Sequence, residues 1–287
     1  MVITKTGESI DLILPTGSNA EPVRRKLATI NYNFNPPEYT FSSEVYPPAI
    51  NRYLNQKVDV NYKIEDLVMA YIQGVQFVEK LSDNIKKARL TLDQEVPIFK
   101  ALSESKMSRF FSKRRRSDYA VRRFQSISET PFTYVLPSAK NGVIETEMGN
   151  YNYEKGIFVL SGNYSISDIR KTVIHELGHC LHDITEPAAY KQSSNIMTEV
   201  MAIFTEETEK INPPNLYGKS PHKDASDFLQ RLRKIPFYKQ LNAAEQWLYL
   251  SGFTNHNLLE EDINAAERKQ TKPKKKQKCP CPRCSVS

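Results

Sequence analysis

Residues 175–179 of the sequence, His-Glu-Leu-Gly-His, combine two imidazoles and a carboxylate at a spacing that suits metal chemistry. Side chains four residues apart lie on one face of a helix, so His175 and His179 can direct ring nitrogens at a single ion. Glu176 directly follows the first histidine, close enough to reach a water on that ion without becoming a ligand. The pattern therefore predicts two zinc ligands and a general base.

A helix is predicted around this motif independently of its chemistry. Ser165 or Ser167 can cap its N-terminus, and Asp168 places a negative charge in the first turn. Residues 156–161, just upstream, are a short apolar run that is typical of a buried strand. Apolar residues recur at helical spacing and form a stripe that can be buried: Ile169, Val173, Leu177, Cys180 and Leu181. We expect the thiol of Cys180 to behave as a small hydrophobe.

A third ligand is needed, because a catalytic zinc usually has three protein ligands and one open position. A metzincin-type third histidine would require Gly at position 182 and His at position 185, but the chain has His182 and Thr185. His182 lies roughly 10 Å along a helix from the first motif histidine, so we expect it to support the site or cap the helix. Glu199, on a second helix predicted at residues 195–207, is the better candidate.

The two segments HELGHCLH (175–182) and TEVMAIFTE (198–206) resemble the paired motifs of the thimet oligopeptidase and oligoendopeptidase F metallopeptidases, which are Glu-liganded zincins. The interval between the motifs is closer to that of thermolysin-like enzymes, but the aspartate that those enzymes place four residues after the glutamate is Ile203 here. The resemblance implies a zinc site with the ligands His175, His179 and Glu199, the base Glu176 and a second acidic residue on the ligand helix, Glu206.

The composition is that of a soluble globular protein, with 39% hydrophobic and 25% charged residues in a chain of 287. No run approaches about 18 apolar residues, the length needed to span a membrane. Lys5, Glu8 and Asp11 interrupt the N-terminal hydrophobic residues where a signal peptide would need a continuous apolar core. We therefore expect a cytoplasmic protein without membrane association, and nuclear import or export without a signal peptide stays open.

The N-terminal region, residues 1–130, is predicted to be irregular and helical. Prolines and asparagines punctuate its first part, where only residues 10–14 are expected to form a strand. Apolar residues then follow a helical period over residues 64–90. A second helical pattern follows Pro97, over residues 98–111. Residues 113–123 carry six basic side chains and one acidic one, which favours a solvated helix face and leaves a phosphate-rich or acidic partner as the alternative.

Residues 131–265 are predicted to form the metallopeptidase domain. Strand-like patterns occupy residues 132–160, and helical patterns return at 225–232 and 243–252. The predicted fold class is therefore α+β, mainly helical, and the resemblance implies a zincin-like domain with a small sheet beside the motif helix. An edge strand of that sheet could hold an extended peptide by main-chain hydrogen bonds.

Amide hydrolysis develops negative charge on the carbonyl oxygen, and a His or Tyr donor often helps the metal to stabilise it. Donors of this kind occur after the ligand helix. The sequence leaves the choice open among Tyr217, His222, Tyr249 and His256.

The C-terminal segment, residues 266–287, is predicted to be a disordered basic tail. Eight Lys or Arg and no acidic residue lie at 268–283, which exceeds the formal net charge of +7, so the rest of the chain is not basic. This tail could make a weak contact with nucleic acid or an acidic partner, and residues 272–278 resemble a nuclear-import signal. Three thiols could bind a metal ion, although no fourth ligand is close by: Cys279, Cys281 and Cys284.

These patterns favour a zinc metallopeptidase that acts on a peptide or protein substrate. One alternative is an intracellular regulatory protease with the same His-Glu-x-Gly-His motif that cuts a single specific partner. Another is a nucleic-acid or scaffold-binding protein whose zinc site is structural or degenerate. The plainest alternative for the motif itself is a histidine pair in the core of a structural helix.

Overall fold

The computed structural model describes residues 8–14, 23–58, 60–92, 126–136, 148–160, 164–209 and 222–271. Four expectations lie outside these residues: the helix at 98–111, the basic cluster at 113–123, Tyr217, and the tail from residue 272 with its three cysteines. Within the described stretches, no helix has both the length and the apolar character that crossing a membrane requires.

The described residues contain one mixed sheet of six strands, and the fold is α+β. The spatial order is β3-β2-β1-β4-β6-β5, in which β1, β4 and β6 are parallel and the other neighbours are antiparallel. Strands β3 and β5 therefore form the two edges. The strands are β1 (Glu8–Leu14), β2 (Val23–Asn31), β3 (Glu38–Phe41), β4 (Phe132–Val135), β5 (Gly149–Asn152) and β6 (Gly156–Leu160).

The N-terminal region contributes more to the sheet than its sequence indicates. The strand predicted at residues 10–14 is confirmed as part of β1, but residues 23–31 and 38–41, expected to be irregular, form β2 and β3. The first half of β2 is exposed on both faces, so it lacks the alternation that marks a half-buried strand. Its antiparallel pairing with β1 stabilises it instead.

Strand β1 joins the N-terminal strands to the centre of the sheet. It pairs in parallel with β4, and Ile10 lies opposite Phe132 in the register. Both side chains are buried in the hydrophobic core. The sheet is therefore built from strands on both sides of residue 130.

The helices predicted at residues 64–90, 225–232 and 243–252 are confirmed as α2, α6 and α8. Residues 266–271, predicted as the start of the tail, belong to the last helix, α9. The α-helices of the described residues are α1 (Pro47–Tyr53), α2 (Ile64–Leu92), α3 (Ile166–Thr185), α4 (Pro187–Gln192), α5 (Asn195–Thr208), α6 (His222–Leu232), α7 (Pro236–Gln240), α8 (Ala243–Leu250) and α9 (His256–Thr271).

Helix α3 is the central element of the helical layer. It packs against β5 and β6 of the sheet, and both α2 and α5 pack against it. Gly74 allows α2 to approach closely, because a Cβ atom there would lie 2.9 Å from Cγ1 of Val173. The apolar stripe predicted on α3 is confirmed as core: Ile169, Val173, Leu177, Cys180 and Leu181 are all buried.

A testable prediction about thiol reactivity follows from the burial of Cys180. Its Sγ atom lies 3.0 Å from Oγ1 of Thr130, and burial raises its pKa to about 12. At pH 8 the thiolate fraction should then be about a thousandfold lower than for an unfolded cysteine. In a variant with the three tail cysteines changed to Ser, we expect Ellman's reagent to react at least about a thousandfold more slowly with the native than with the unfolded chain. Fast labelling of the native chain would contradict the buried position of this stripe.

Candidate metal centre

Helix α3 carries the His-Glu-x-x-His motif, as predicted. Ser165 is its N-cap residue, and the Ser165 hydroxyl accepts a hydrogen bond of 3.1 Å from the backbone N–H of Asp168. His175, Glu176 and His179 lie in the buried middle of the helix. The ring centroids of the two histidines are 4.9 Å apart, so the imidazoles share one face of the helix as their spacing requires.

Helix α5 brings Glu199 to the motif. Its predicted start is confirmed, with Ser194 as the N-cap residue. Gly178 allows α5 to pack closely on α3, since a Cβ atom there would lie 3.0 Å from Cα of Ala202 and from Cβ of Thr205. The chain therefore returns to the two histidines as the sequence indicated.

The carboxylate of Glu199 contacts both motif histidines. Its Oε2 atom lies 3.1 Å from Nε2 of His175, and its Oε1 atom lies 3.7 Å from Nε2 of His179. A third imidazole joins them, because Nε2 of His222 also lies 3.1 Å from Oε2 of Glu199. Among the described residues, the group whose ligand atoms all lie within 4.8 Å of one another consists of His175, Glu199 and His222, and the predicted ligand His179 is not part of it.

These donors could hold a zinc ion. Zn–N and Zn–O bonds of about 2.0–2.2 Å place neighbouring ligands of a tetrahedral ion about 3.3–3.5 Å apart. The three distances to Glu199, 3.1, 3.1 and 3.7 Å, fall on either side of that value. Among the described residues, Nδ1 of His179 is buried without a hydrogen-bond partner, while its Nε2 faces the carboxylate. The donor types and their separations from the Glu199 carboxylate therefore fit the predicted metal.

Burial and mutual contacts determine the charges of the donors. Burial lowers the pKa of His179 to about 4, so its imidazole is neutral at pH 7 and keeps a lone pair for a cation. Burial by itself would raise the pKa of Glu199, but the imidazoles of His175 and His222, each 3.1 Å from its Oε2 atom, hold that pKa well below its usual range. Burial opposes the charged form of His175, but the contacts with Glu199 and Glu206 raise its pKa above the ordinary value.

Glu206 lies behind His175, on the side away from Glu199. Its Oε2 atom is 3.6 Å from Nδ1 of His175, and its side chain is almost completely buried. A carboxylate near Nδ1 favours one orientation of the ring and makes the other nitrogen more basic. The second acidic residue that the resemblance implied on this helix is thus positioned to orient a candidate ligand.

The predicted base, Glu176, is buried beside edge strand β5. A Cβ atom on Gly149 would lie 2.7 Å from Oε1 of Glu176 and 2.7 Å from Cγ2 of Thr172. Because Gly149 has no side chain, the carboxylate fits against the backbone of the strand. Glu176 is also near enough to His175 to raise the pKa of that imidazole. The carboxylate therefore lies against the edge strand and within electrostatic range of one donor.

Two of the candidate oxyanion donors are engaged elsewhere. The hydroxyl of Tyr249 is buried and donates to the carboxylate of Asp262. Nδ1 of His256 lies 3.3 Å from the hydroxyl of Ser194, the N-cap of α5. His222 contacts the donor group itself, and no pattern in the sequence distinguishes it from the other candidates.

The helix α4 between the two motifs contributes Tyr190, which the sequence patterns did not identify. Its ring packs edge-on against Tyr151 of β5, with centroids 5.9 Å apart, and against His182. Burial and then the charges of Asp183 and Glu176 raise the pKa of Tyr190, so its phenol stays protonated at neutral pH. His182 is fully buried among these rings and Trp247, in line with the expectation that it is not a ligand.

The site thus combines three imidazoles and one carboxylate with a second, separate carboxylate at the edge of a sheet. Such a set can bind a divalent ion and move a proton next to it. Comparisons with protein-family models, with curated proteins and with solved structures find no match.

Proposed function

We propose that this chain is a zinc-dependent peptidase with a zincin-like catalytic core of the Glu-liganded kind. The observation that carries the proposal is the convergence of His175, His179 and Glu199 from two packed helices, with the carboxylate of Glu176 buried beside them. If the two histidines were only part of the packed core, they would need neither a third donor nor a separate carboxylate. The separations of the imidazole nitrogens from the Glu199 carboxylate are also close to those in a zinc site.

Zinc at this site would lower the pKa of a bound water and polarise a peptide carbonyl. Glu176 would accept the proton that the attacking water loses and pass it to the leaving nitrogen. His179, neutral because of its burial, would offer a lone pair, and Glu199 would supply the negative charge. Glu206 would hold the ring of His175 in the orientation that faces Glu199.

Strand β5 offers a site for an extended peptide. Among the described residues it pairs only with β6, so one of its edges has no neighbouring strand. A peptide added to that edge by main-chain hydrogen bonds would lie beside Gly149, against which the Glu176 carboxylate is packed. This arrangement favours a peptide or protein as the substrate class.

Metal analysis and peptide cleavage together test the proposal. We expect the purified full chain to bind one zinc ion and to cleave a mixture of unstructured peptides, with both properties lost after chelation and restored by zinc. A chain that binds no zinc would contradict the metal site. A chain that binds zinc but cleaves neither peptides nor an unfolded protein would contradict the peptidase assignment.

A Gly149→Ala variant tests the position of the base. The new Cβ atom would displace the Glu176 carboxylate, since the available separation is only 2.7 Å. Misplacing a catalytic group by about 1 Å can reduce the rate by about 100-fold, so we expect hydrolysis to fall by roughly 10- to 100-fold. Zinc content should not change, because the side chains nearest to the new Cβ atom are Glu176 and Thr172 and not the donors. The control is Lys155→Ala, an exposed change in the turn after β5, which should have no effect on either measurement.

A further inference from the structure

His222 differs from the other three donors in its exposure. Its side chain is 39% exposed, whereas those of His175 and His179 are each 10% exposed and that of Glu199 is 16% exposed. His222 is the first residue of α6, while the other three lie within the packed helices α3 and α5. Its imidazole therefore lies on the solvent side of the donor group.

The contacts of His222 are those expected of a ligand. Its Nε2 atom lies 3.1 Å from Oε2 of Glu199, the same oxygen and the same distance as Nε2 of His175. The ring centroids of the two histidines are 5.5 Å apart. Two imidazole nitrogens can face one carboxylate oxygen only when a proton or a cation lies between each nitrogen and the oxygen. A single cation would meet that requirement for all three groups at once.

The number of protein ligands decides what a zinc site can do. Structural zinc sites are closed by four protein ligands, whereas catalytic sites keep one position for water or substrate. His175, His179 and Glu199 would by themselves leave such a position. His222 approaches the same oxygen of Glu199 as His175 does, so its imidazole could fill that position and close the site.

We propose that His222 is a displaceable fourth protein ligand, which keeps the zinc site closed until a peptide substrate enters along β5 and replaces its imidazole. The proposal rests on the proposed function, because it requires zinc at His175, His179 and Glu199. Exposure and a position at the end of a helix make His222 the ligand whose departure disturbs the core least. Ligand exchange alone then converts a latent site into a catalytic one.

X-ray absorption spectroscopy of the zinc-loaded full chain tests the proposal without an activity measurement. We expect three imidazole ligands in the unmodified chain and two in a His222→Ala variant. Competition with a chromogenic chelator should show zinc affinity reduced by at least about 10- to 100-fold, since loss of even a supporting partner of a ligand has that effect. His256→Ala is the matched control and should keep three imidazoles and the original affinity.

The possible outcomes separate this inference from the proposed function. Two imidazoles in the unmodified chain, together with unchanged affinity in both His222→Ala and His222→Gln, would overturn the fourth-ligand role and leave the peptidase site intact. If the unmodified chain bound no zinc, the proposed function itself would fail. At saturating zinc, the fourth-ligand role predicts that His222→Ala cleaves short peptides faster than the original chain, because no imidazole then has to be displaced. A slower rate with unchanged affinity would instead assign His222 to the stabilisation of the oxyanion.

Discussion

A Glu176→Gln variant is expected to keep its zinc and to lose peptide hydrolysis by a factor of about 10²–10⁴, the usual contribution of a general base. Glutamine has the shape of glutamate and fits the same space against Gly149, but its amide cannot accept and return the proton. Because Glu176 is outside the group of His175, Glu199 and His222, the affinity for zinc should be preserved. Metal analysis and a peptide-cleavage assay on the same sample measure both properties.

The matched control is Glu154→Gln, an identical chemical change in the exposed turn between β5 and β6. It should alter neither zinc content nor hydrolysis. If Glu176→Gln retained its activity, Glu176 would not be the base. If that variant lost its zinc, the carboxylate would belong to the metal site rather than to the proton transfer.

The helices that form the site were predictable because their signals are local. Helix α3 shows a cap at Ser165 and a complete apolar stripe, and α2 shows the same periodicity over its length. Both helices are therefore specified by residues within a few turns of one another. The two motif histidines on α3 follow from spacing alone. Glu199 required a second periodic segment and a return of the chain, and the structure provides both.

The N-terminal strands were not predictable by the same means. Strand β2 is stabilised by pairing with β1 and β3, and its own first half is exposed. The parallel pairing of Ile10 with Phe132 joins residues that are far apart in the chain, and no local pattern encodes such a register. Buried residues alternate along β1 at Ile10 and Leu12, whereas the burial of β2 begins only at Leu27.

The site residues that the sequence did not assign are also those that depend on long-range packing. His222 reaches Glu199 only because α6 packs against α5, and Tyr190 contacts Tyr151 only because α4 lies near the edge strand. A lone histidine or tyrosine carries no spacing signal. The sequence could therefore name His222 as a candidate donor but could not place it beside the carboxylate.

Replacing His175 and Glu199 together with alanine is expected to abolish stoichiometric zinc binding. These residues lie 3.1 Å apart, from Nε2 to Oε2, and they supply an imidazole and the negative charge of the proposed site. The double variant is preferable to either single one, because removing one partner would leave a buried charge without compensation. Metal analysis should find one zinc ion in the unmodified chain and none in the double variant, while His256→Ala keeps its zinc.

Thermal unfolding provides an independent measurement of the same change. A ligand that binds only the folded state stabilises it by RT ln(1 + [L]/Kd), which is about 4 kcal/mol when zinc is at a thousandfold excess over Kd. Zinc should therefore raise the Tm of the unmodified chain, and a chelator should lower it, whereas the double variant should respond to neither. If zinc raised the Tm of the double variant as much as that of the original chain, the ion would be bound elsewhere. The convergence of Glu199 on the two motif histidines would then be a feature of core packing.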